Sequence, residues 1–276
     1  MPEGHTLFRL ARDLDDAFGR RPVRVASPQG RFAADAAIID GLEVTHAESA
    51  GKHLFVGFPG ERFIHIHLGL IGKFDIAPLT DGEVPLPVGQ VRLRLFNEEH
   101  VADLRGATQC ELVGEAKRQA VLAKLGPDPL RPDADPGKAW ARIHKSHRPI
   151  GELLMDQAVL AGIGNVYRAE VLFRHKIHPL RPGNTLRRSQ WDSIWADLVD
   201  LLAEGVRTGR IDTVHSEHTP EAMGRPPRVD DHGGEVYVYR RTGQPCYVCG
   251  STVRTAELAG RNSFWCPKCQ RPYRPR

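Results

Sequence analysis

The sequence is poor in cysteine and in long apolar runs. Only five of its 276 residues are cysteines, and four of these stand in two close pairs, which leaves Cys110 without a disulfide partner. A disulfide-stabilised scaffold is therefore excluded, and a reducing, cytoplasmic location is expected. No apolar segment is long enough to cross a bilayer, so we expect neither a signal peptide nor a membrane partner.

The sequence also lacks a strong excess of charge. Its 38 Lys and Arg residues nearly balance its 34 Asp and Glu residues, and the formal net charge is +4. A polyanionic partner would therefore have to bind to local basic patches rather than to the whole surface. A hydrophobic content of 41% supports well-formed cores, and the length favours two domains over one.

The four paired cysteines form the most specific pattern in the chain. Two Cys-x-x-Cys pairs are separated by sixteen residues. This is the spacing of a tetrahedral Zn²⁺ site, and four thiolates leave no open position for a reacting water molecule. We therefore predict one structural zinc ion and, between the pairs, a β-hairpin over residues 251–265. The predicted ligands are Cys246, Cys249, Cys266 and Cys269.

The chain around these cysteines is strongly basic. From Arg240 to Arg276 it contains eight Lys or Arg residues, including Arg254 and Arg261, and a single acid, Glu257. This charge predicts contact with nucleic acid. The alternative is a structural zinc ribbon whose basic face is simply solvated.

The start of the chain predicts a helix. Gly19 is a plausible stop, and the residues before it carry apolar side chains at helical spacing, namely Leu7, Leu10, Leu14 and Phe18. Removal of Met1 would leave Pro2 as a free secondary amine beside the carboxylate of Glu3. On these residues alone, the ordinary interpretation is favoured, in which a proline and an acid begin a helix.

The following ninety or so residues predict an antiparallel β-sandwich or flattened barrel, because apolar and polar residues alternate in short runs. These runs are 23–25, 54–58, 63–68 and 91–96. His65 and His67 point to one face, and without a third ligand we interpret them as ordinary strand histidines. Lys52 follows Gly51 at the start of a strand, where a lone lysine is usually solvated. Cys110 is expected to be a small core residue.

The second half of the sequence predicts helices. Residues 150–160 and 166–173 read as two helices joined through Gly162 and Gly164, and Asn165 reads as the N-cap of the second. A helix N-terminus behind a glycine turn can bind an anion. A plain packing corner explains the pattern equally well.

The rest of this half contains a long helix, a loop and a strand. The helix covers 186–206, the loop without periodicity covers 217–234, and the strand covers 236–239. We divide the whole chain into four parts. They are a β-sandwich domain at 1–114, a linker region at 115–137, a helical domain at 138–240 and a zinc finger at 241–276.

Together these motifs resemble the formamidopyrimidine-DNA glycosylase and endonuclease VIII family of DNA repair enzymes. The resemblance covers nearly the whole chain, in the order found in the family. Pro2-Glu3 matches its N-terminal nucleophile and acid, and Gly51-Lys52 matches its lysine. Residues 153–167 match its helix–two-turn–helix, and 246–269 match its zinc finger with Arg261 at the arginine position. The implied fold is α+β and multidomain, with a catalytic β-sandwich after a terminal helix.

The resemblance implies a bifunctional reaction on damaged DNA. The amine of Pro2 would attack C1′ of the damaged nucleotide, Glu3 would act as the proton donor, and Lys52 would assist. Elimination from the resulting Schiff base would then cleave the strand. Asn165 and Arg261 would bind DNA phosphates. No nucleotide cofactor is implied, and a monomer is expected.

The first residues of the chain select a branch of the family. Pro2-Glu3-Gly4-His5-Thr6 resembles the endonuclease VIII branch, which implies an oxidised pyrimidine as the substrate. Leu70 and Arg105 align with side chains that fill the gap left by the flipped base. Ala107 stands near where the formamidopyrimidine branch carries a phenylalanine, so the way the gap is filled stays open.

Three alternatives to this function are carried forward. The first is a glycosylase for oxidised purines such as formamidopyrimidine or 8-oxoguanine. The second is a non-catalytic module of the same fold that only binds lesions. The third, a zinc-ribbon RNA binder, is disfavoured because the sequence has no aromatic-rich RNA-binding module.

Overall fold

The computed structural model of the protein describes residues 2–80, 82–229 and 234–274. Met1 and residues 230–233 of the predicted loop lie outside the described residues. The chain divides into two compact units, Met1–Lys124 and Leu125–Arg276. The four-part division made above stays a prediction.

The first unit contains two four-stranded antiparallel sheets, as the alternating runs predict. One sheet has the order β1-β6-β7-β5 and the other β2-β3-β4-β8. Their strands are β1 (Arg24–Ala26), β2 (His46–Ala50), β3 (His53–Phe58), β4 (Arg62–His67), β5 (Lys73–Pro78), β6 (Val91–Phe96), β7 (His100–Arg105) and β8 (Gln109–Gly114). Cys110 is 3% exposed in the core between them, which confirms its structural role.

The predicted N-terminal helix is α1 (Gly4–Phe18), and it ends at Gly19. Its apolar side chains Leu7, Leu14 and Phe18 are almost completely buried. This burial attaches the helix to the sheets, because the apolar stripe recurs every three or four residues and faces the core.

Two further helices belong to the first unit and were missed from the sequence. They are α2 (Ala33–Ile39) and α3 (Glu115–Leu122). Helix α3 lies inside the segment assigned to the linker and packs on β4 and β8. The guanidinium of Arg118 joins α3 to Glu48 on β2, and it also binds Glu115 on α3 itself at 2.8 Å. Residues 123–135 of that segment, which include Pro127, Pro129 and Pro132, therefore mark the passage to the second unit.

The second unit is helical. Its helices are α4 (Pro136–Ile143), α5 (Ile150–Leu153), α6 (Asn165–Arg174), α7 (Arg188–Thr208) and α8 (Pro220–Met223). Helices α6 and α7 confirm the predictions for 166–173 and 186–206. Helix α8 lies within the stretch that was predicted to be an aperiodic loop.

The prediction of one helix over 150–160 is wrong. Helix α5 ends at Leu153. In the turns that follow, hydrogen bonds from polar side chains to the backbone replace the regular backbone hydrogen bonds of a helix. Asp156 Oδ1 accepts from the N–H of Ala158 at 3.1 Å. The amide of Gln157 accepts from Gly162 N–H at 3.0 Å and donates to the carbonyl of Ile163 at 2.9 Å.

The prediction of a strand over 236–239 is also wrong. The N–H groups of Tyr237, Val238 and Tyr239 all donate to the carboxylate of Glu170, at 2.6, 2.9 and 2.8 Å. Three successive N–H groups cannot converge on one side chain from a pleated strand, whose N–H groups alternate in direction. Glu170 is 0% exposed, and it also accepts from the hydroxyl of Thr213 at 2.6 Å.

The zinc-finger segment forms the predicted hairpin, with strands β9 (Arg254–Leu258) and β10 (Arg261–Trp265). It shares a core with the helices of its unit, since Cys246, Val253 and Phe264 are buried there. Within the described residues, no helix has the length and apolar character needed to span a membrane.

We predict that Glu170→Gln lowers the free energy of unfolding of the second unit by about 3 kcal/mol, because a buried, charged acceptor of four hydrogen bonds is lost. All four tryptophans lie in this unit, so urea unfolding followed by tryptophan fluorescence measures it. Glu204→Gln is the control, because Glu204 pairs with Arg207 at the surface, where ion pairs contribute little. Equal stability of the two variants would contradict the role of Glu170.

Candidate active site and zinc centre

The predicted nucleophile and acid lie at the start of α1. Glu3 caps this helix and is 0% exposed, and its N–H donates to Thr6 Oγ1 at 3.4 Å. Pro2, immediately before it, is partly exposed. The pair therefore combines a partly exposed proline with a carboxyl group that is withdrawn from water.

Because of the way α1 packs, its N-terminus lies near the turn that contains Lys52. Helix α1 packs along β2, where Gly19 bridges to Val44 and Asp15 Oδ1 accepts from the N–H of Ala47. From Asp15 back to Gly4 the helix rises about 16 Å. From Ala47 on to Lys52 the chain advances by about the same distance. Pro2, Glu3 and Lys52 therefore share one end of the first unit.

The turn between β4 and β5 lies at this same end. Register pairs Leu54 with Ile66, and the ring of His53 lies 5.1 Å from that of His67, so the residues that follow His67 lie beside the Gly51–Lys52 turn. The turn, residues 68–72, needs glycine twice. Gly69 has φ +70° with the side chain of Thr108 against it, and a Cβ at Gly72 would lie 2.2 Å from the carbonyl oxygen of Leu68. Leu70 in this turn is 54% exposed, so its side chain is accessible to a DNA duplex.

The side chain of Arg105 is held on the sheet. Its Nε donates to the carbonyl of Val88 at 2.9 Å, and its two terminal nitrogens bind Asp75 at 3.1 Å and Asp103 at 2.7 Å. Contact of Arg105 with DNA therefore requires some of these bonds to be exchanged, and that contact stays a prediction.

A cluster of histidines beside Lys52 was missed from the sequence. His53 Nδ1 lies 2.9 Å from His65 Nε2, and the ring of His53 lies 5.1 Å from that of His67. The side-chain amide of Gln109 donates to His65 Nδ1 at 3.1 Å. The missed signal was the pairing of His53 with the two histidines of the next strand.

These histidines are neutral near pH 7. Burial, together with the neighbouring rings of His65 and His67, lowers the pKa of His53 to about 4. Burial also lowers the pKa of His65 and, together with the charge of Lys52, the pKa of His67. The cluster thus adds polar groups, but no positive charge, to this end of the unit. Among the described residues it does not form a metal-binding group.

In the second unit, Asn165 has a different local role from the one predicted. Gly164 is the N-cap of α6, and Asn165 is the first residue of the helix. The side-chain amide of Asn165 donates to the carbonyl of Asn262 on β10 at 3.0 Å, and its oxygen accepts from Arg168. A hairpin carbonyl thus takes the place of the expected capping bond to the backbone of the helix.

Arg168, which was missed from the sequence, links α5, α6 and the hairpin. Its guanidinium is 1% exposed, and it donates to the carbonyls of Gly151 at 3.2 Å and Asn262 at 3.0 Å. Arg261, the residue before Asn262, is exposed. Asn165, which is 7% exposed, therefore lies beside the part of the hairpin that carries the exposed Arg261.

The four predicted zinc ligands are clustered. Their sulfur atoms all lie within 4.8 Å of one another. The Sγ atoms of Cys246 and Cys269 are 3.9 Å apart, and those of Cys249 and Cys266 are 3.4 Å apart. Zinc–sulfur bonds of about 2.3 Å in a tetrahedron place the sulfurs about 3.8 Å apart, so the cluster fits the ion.

Comparison with known families matches each part of the chain. Residues 1–110 match the formamidopyrimidine-DNA glycosylase N-terminal domain, and residues 125–216 match the H2TH domain of that enzyme. Residues 243–272 match a zinc finger found in FPG and IleRS. The sequence is 52% identical to Endonuclease 8 1 of Mycobacterium tuberculosis, over 98% of this chain and 100% of the relative.

The chain belongs to the formamidopyrimidine-DNA glycosylase and endonuclease 8 family. A more distant relative, a formamidopyrimidine-DNA glycosylase of Parasynechococcus marenigrum, is 30% identical over 98% of this chain and 99% of its own length. Among solved structures, Lactococcus lactis Fpg in complex with DNA containing an abasic site has a TM-score of 0.79 at 23% identity. That match covers 98% of this chain and 100% of the other, and it shows a common fold.

As a member of this family, the protein holds one structural zinc ion through its four cysteines. We predict that Cys249→Ser, or a strong chelator, removes this zinc. Loss of the ion should lower the free energy of unfolding of the second unit by several kcal/mol, because hairpin and helices share one core. Atomic absorption measures the metal, and tryptophan fluorescence follows unfolding.

Cys110→Ala is the matched control for this prediction. Cys110 lies in the core of the first unit, and this variant should keep a full complement of zinc. A Cys249→Ser protein that still contained one zinc ion per chain and unfolded like the wild type would contradict the assignment.

Proposed function

We propose that this protein is a DNA glycosylase and AP lyase of base excision repair that removes oxidised pyrimidines. One observation carries the proposal. The partly exposed Pro2 and the buried Glu3 stand at the end of the first unit that also holds Lys52 and the turn with Leu70. A secondary amine, a shielded acid and a cation in one place are what covalent removal of a base requires.

The reaction begins with the nitrogen of Pro2, which is an amine once Met1 has been removed. Its lone pair attacks C1′, the bond from C1′ to the damaged base breaks, and the base leaves with the bonding electrons and takes up the proton that the Pro2 nitrogen loses. Glu3 donates a proton to the ring oxygen of the sugar, which opens the ring and leaves an iminium ion between Pro2 and C1′. Burial of Glu3 keeps water away from this proton transfer.

Strand cleavage follows from the charge of the iminium ion. The positive nitrogen draws electrons from C1′ and makes a proton on C2′ acidic. Removal of that proton expels the phosphate at C3′, so the strand breaks by elimination rather than by hydrolysis. Lys52 is proposed to hold the neighbouring phosphate, since an ammonium group contributes a point charge to such a contact.

The second unit is proposed to bind the DNA backbone. Asn165 binds the hairpin next to the exposed Arg261, and the zinc hairpin is basic. Phosphate contacts of this kind supply the energy for turning out a base, which costs a few kcal/mol and least for a damaged, poorly paired one. We further propose that the protein acts as a monomer in the cytoplasm and needs no nucleotide cofactor.

The covalent step has a direct test. Incubation with DNA containing an abasic site, followed by sodium borohydride, should produce a cross-linked band, because reduction of the iminium ion makes the link permanent. Addition of an alanine residue before Pro2 should abolish the band, since the nitrogen is then an amide. Glu3→Gln should bind DNA within about twofold of the wild type and lose base excision by at least about a hundredfold.

Glu43→Gln is the matched control, because this side chain is also a carboxylate of the first unit but lies in the partly exposed segment before β2. Absence of a trapped band with protein whose Met1 has been removed would leave a lesion-binding module as the function. Normal excision by the Glu3→Gln variant would show that another group donates the proton.

The choice of an oxidised pyrimidine rests on the first residues of the chain and on the relatives. The chain begins Pro2-Glu3-Gly4-His5-Thr6, which resembles the endonuclease VIII branch. The relative named Endonuclease 8 1 is 52% identical, whereas the one named formamidopyrimidine-DNA glycosylase is 30% identical. Both features support the pyrimidine substrate over the oxidised purine.

We predict that a duplex containing 5-hydroxyuracil is cut at least about tenfold faster, by kcat/KM, than a duplex containing 8-oxoguanine, which corresponds to about 1.4 kcal/mol of discrimination. Competition between the two labelled duplexes in one tube measures this ratio directly. An abasic duplex serves as the control, because its cleavage bypasses base recognition. Preference for 8-oxoguanine would assign the protein to purine repair.

A further inference from the structure

The turn that leads into the zinc finger contains an arginine in a left-handed backbone conformation. The N–H of Arg241 donates to the carbonyl of Val238 at 3.1 Å and closes the turn, whose third residue, Arg240, has φ +53°. Turns with a positive φ at this position normally carry glycine, because a Cβ is strained there. Three residues later the chain does use glycine, and Gly243 has φ +82°. The arginine therefore carries a backbone strain that glycine would avoid.

The structure on both sides fixes this turn, so the strain cannot relax. Tyr239 is 3% exposed, its N–H donates to Glu170 at 2.8 Å, and its carbonyl accepts from Arg228 at 3.2 Å. On the other side, Arg241 is 2% exposed and donates to the carbonyl of Tyr237 at 2.5 Å. Strained residues that their surroundings hold in place occur most often at functional sites.

Arg240 is exposed beside the zinc hairpin. Its Cζ lies 5.6 Å from the centre of the Tyr239 ring, and that ring packs edge-on against Phe264 of β10 with a centroid distance of 5.3 Å. Phe264 follows Arg261 by three residues, which is about 10 Å of strand. Arg240 therefore adds an exposed cation next to the strand that carries the exposed Arg261.

The charge of this part of the chain favours an anionic partner. From Arg228 to Arg276 the sequence has nine Lys or Arg residues against four acids. The four acids are Asp230, Asp231, Glu235 and Glu257. Glu235 is 7% exposed and pairs with Arg225 at 2.7 Å, so its charge is already matched. An excess of cations that includes exposed arginines is typical of a surface that binds phosphates.

We propose that Arg240 binds a phosphate of the DNA backbone, close to the phosphate that Arg261 is proposed to bind. The inference rests on the proposed function and adds a DNA contact to it. A guanidinium has a fork of N–H donors that matches phosphate oxygens. Because its backbone is fixed and its side chain lies over Tyr239, Arg240 loses little conformational freedom on binding. Arg228, which binds the carbonyl of Tyr239, is a positioning residue for this contact.

Replacement of Arg240 by glycine separates a binding role from a structural one. Arg240→Gly removes the cation together with the backbone strain, so the variant should unfold at the same urea concentration as the wild type or at a higher one. Its affinity for a duplex containing a tetrahydrofuran abasic analogue should fall at least about threefold. The slope of log Kd against log salt should fall by about 0.9, the value for one phosphate contact. Fluorescence anisotropy over a series of salt concentrations measures both.

The same fold-loss is expected on an undamaged duplex, because phosphate contacts carry no base information. Arg20→Gly is the matched control. Arg20 is also an exposed arginine with a positive φ, +58°, but it follows α1 at the end away from Pro2. This control should keep the wild-type affinity and salt slope. Arg240→Lys keeps the charge and should retain most of the salt slope.

Wild-type affinity and salt slope in Arg240→Gly would overturn the inference and leave the proposed function intact. Weaker binding accompanied by unfolding at lower urea concentration would also overturn it, since the arginine would then be structural. An equal loss in Arg20→Gly would show a general effect of net charge and would overturn it as well. Failure of the wild type itself to form a borohydride-trapped product would instead refute the proposed function.

Discussion

The alignment of α1 along β2 is the constraint on which the active end of the first unit depends. The helix is fixed near its C-terminal end by the Gly19–Val44 bridge and by Asp15 on the backbone of Ala47. Its length then determines where its first residues lie. The helix from Asp15 back to Gly4 and the chain from Ala47 on to Lys52 cover about the same distance, because a strand rises about twice as much per residue as a helix. Loss of one helical turn would withdraw Pro2 and Glu3 from Lys52 by about 5 Å.

The second unit is organised by buried polar side chains rather than by strand pairing. Glu170 collects three consecutive backbone N–H groups of residues 237–239, and Arg168 joins Gly151, Asn165 and the carbonyl of Asn262. Removing such groups from water is costly unless every hydrogen bond is made. A segment without periodic structure can therefore be as firmly fixed as a helix, and the basic hairpin acquires a definite position on its helices.

Features that depend on local spacing could be predicted from the sequence. The helix at residues 4–18, the alternating strands and the four zinc ligands all follow from side chains a few residues apart. Features that depend on distant partners could not. Residues 236–239 have the composition of a strand, but their partner Glu170 lies more than sixty residues earlier in the chain. Asn165 is a residue type typical of N-caps, but its side-chain amide donates to a carbonyl on a hairpin about a hundred residues away in the sequence.

The loop at residues 83–89 illustrates how such distant contacts fix a connecting segment. A loop with two prolines and three exposed apolar side chains would read from its sequence as a solvent-exposed connection. Its backbone is instead bound by Arg94 and Arg105, which share one largely buried carboxylate, Asp103. Buried ion pairs contribute little net stability compared with apolar packing, so stability alone is a weak reason to build this network. Its specific effect is geometric, because it fixes where Leu86 and Val88 project.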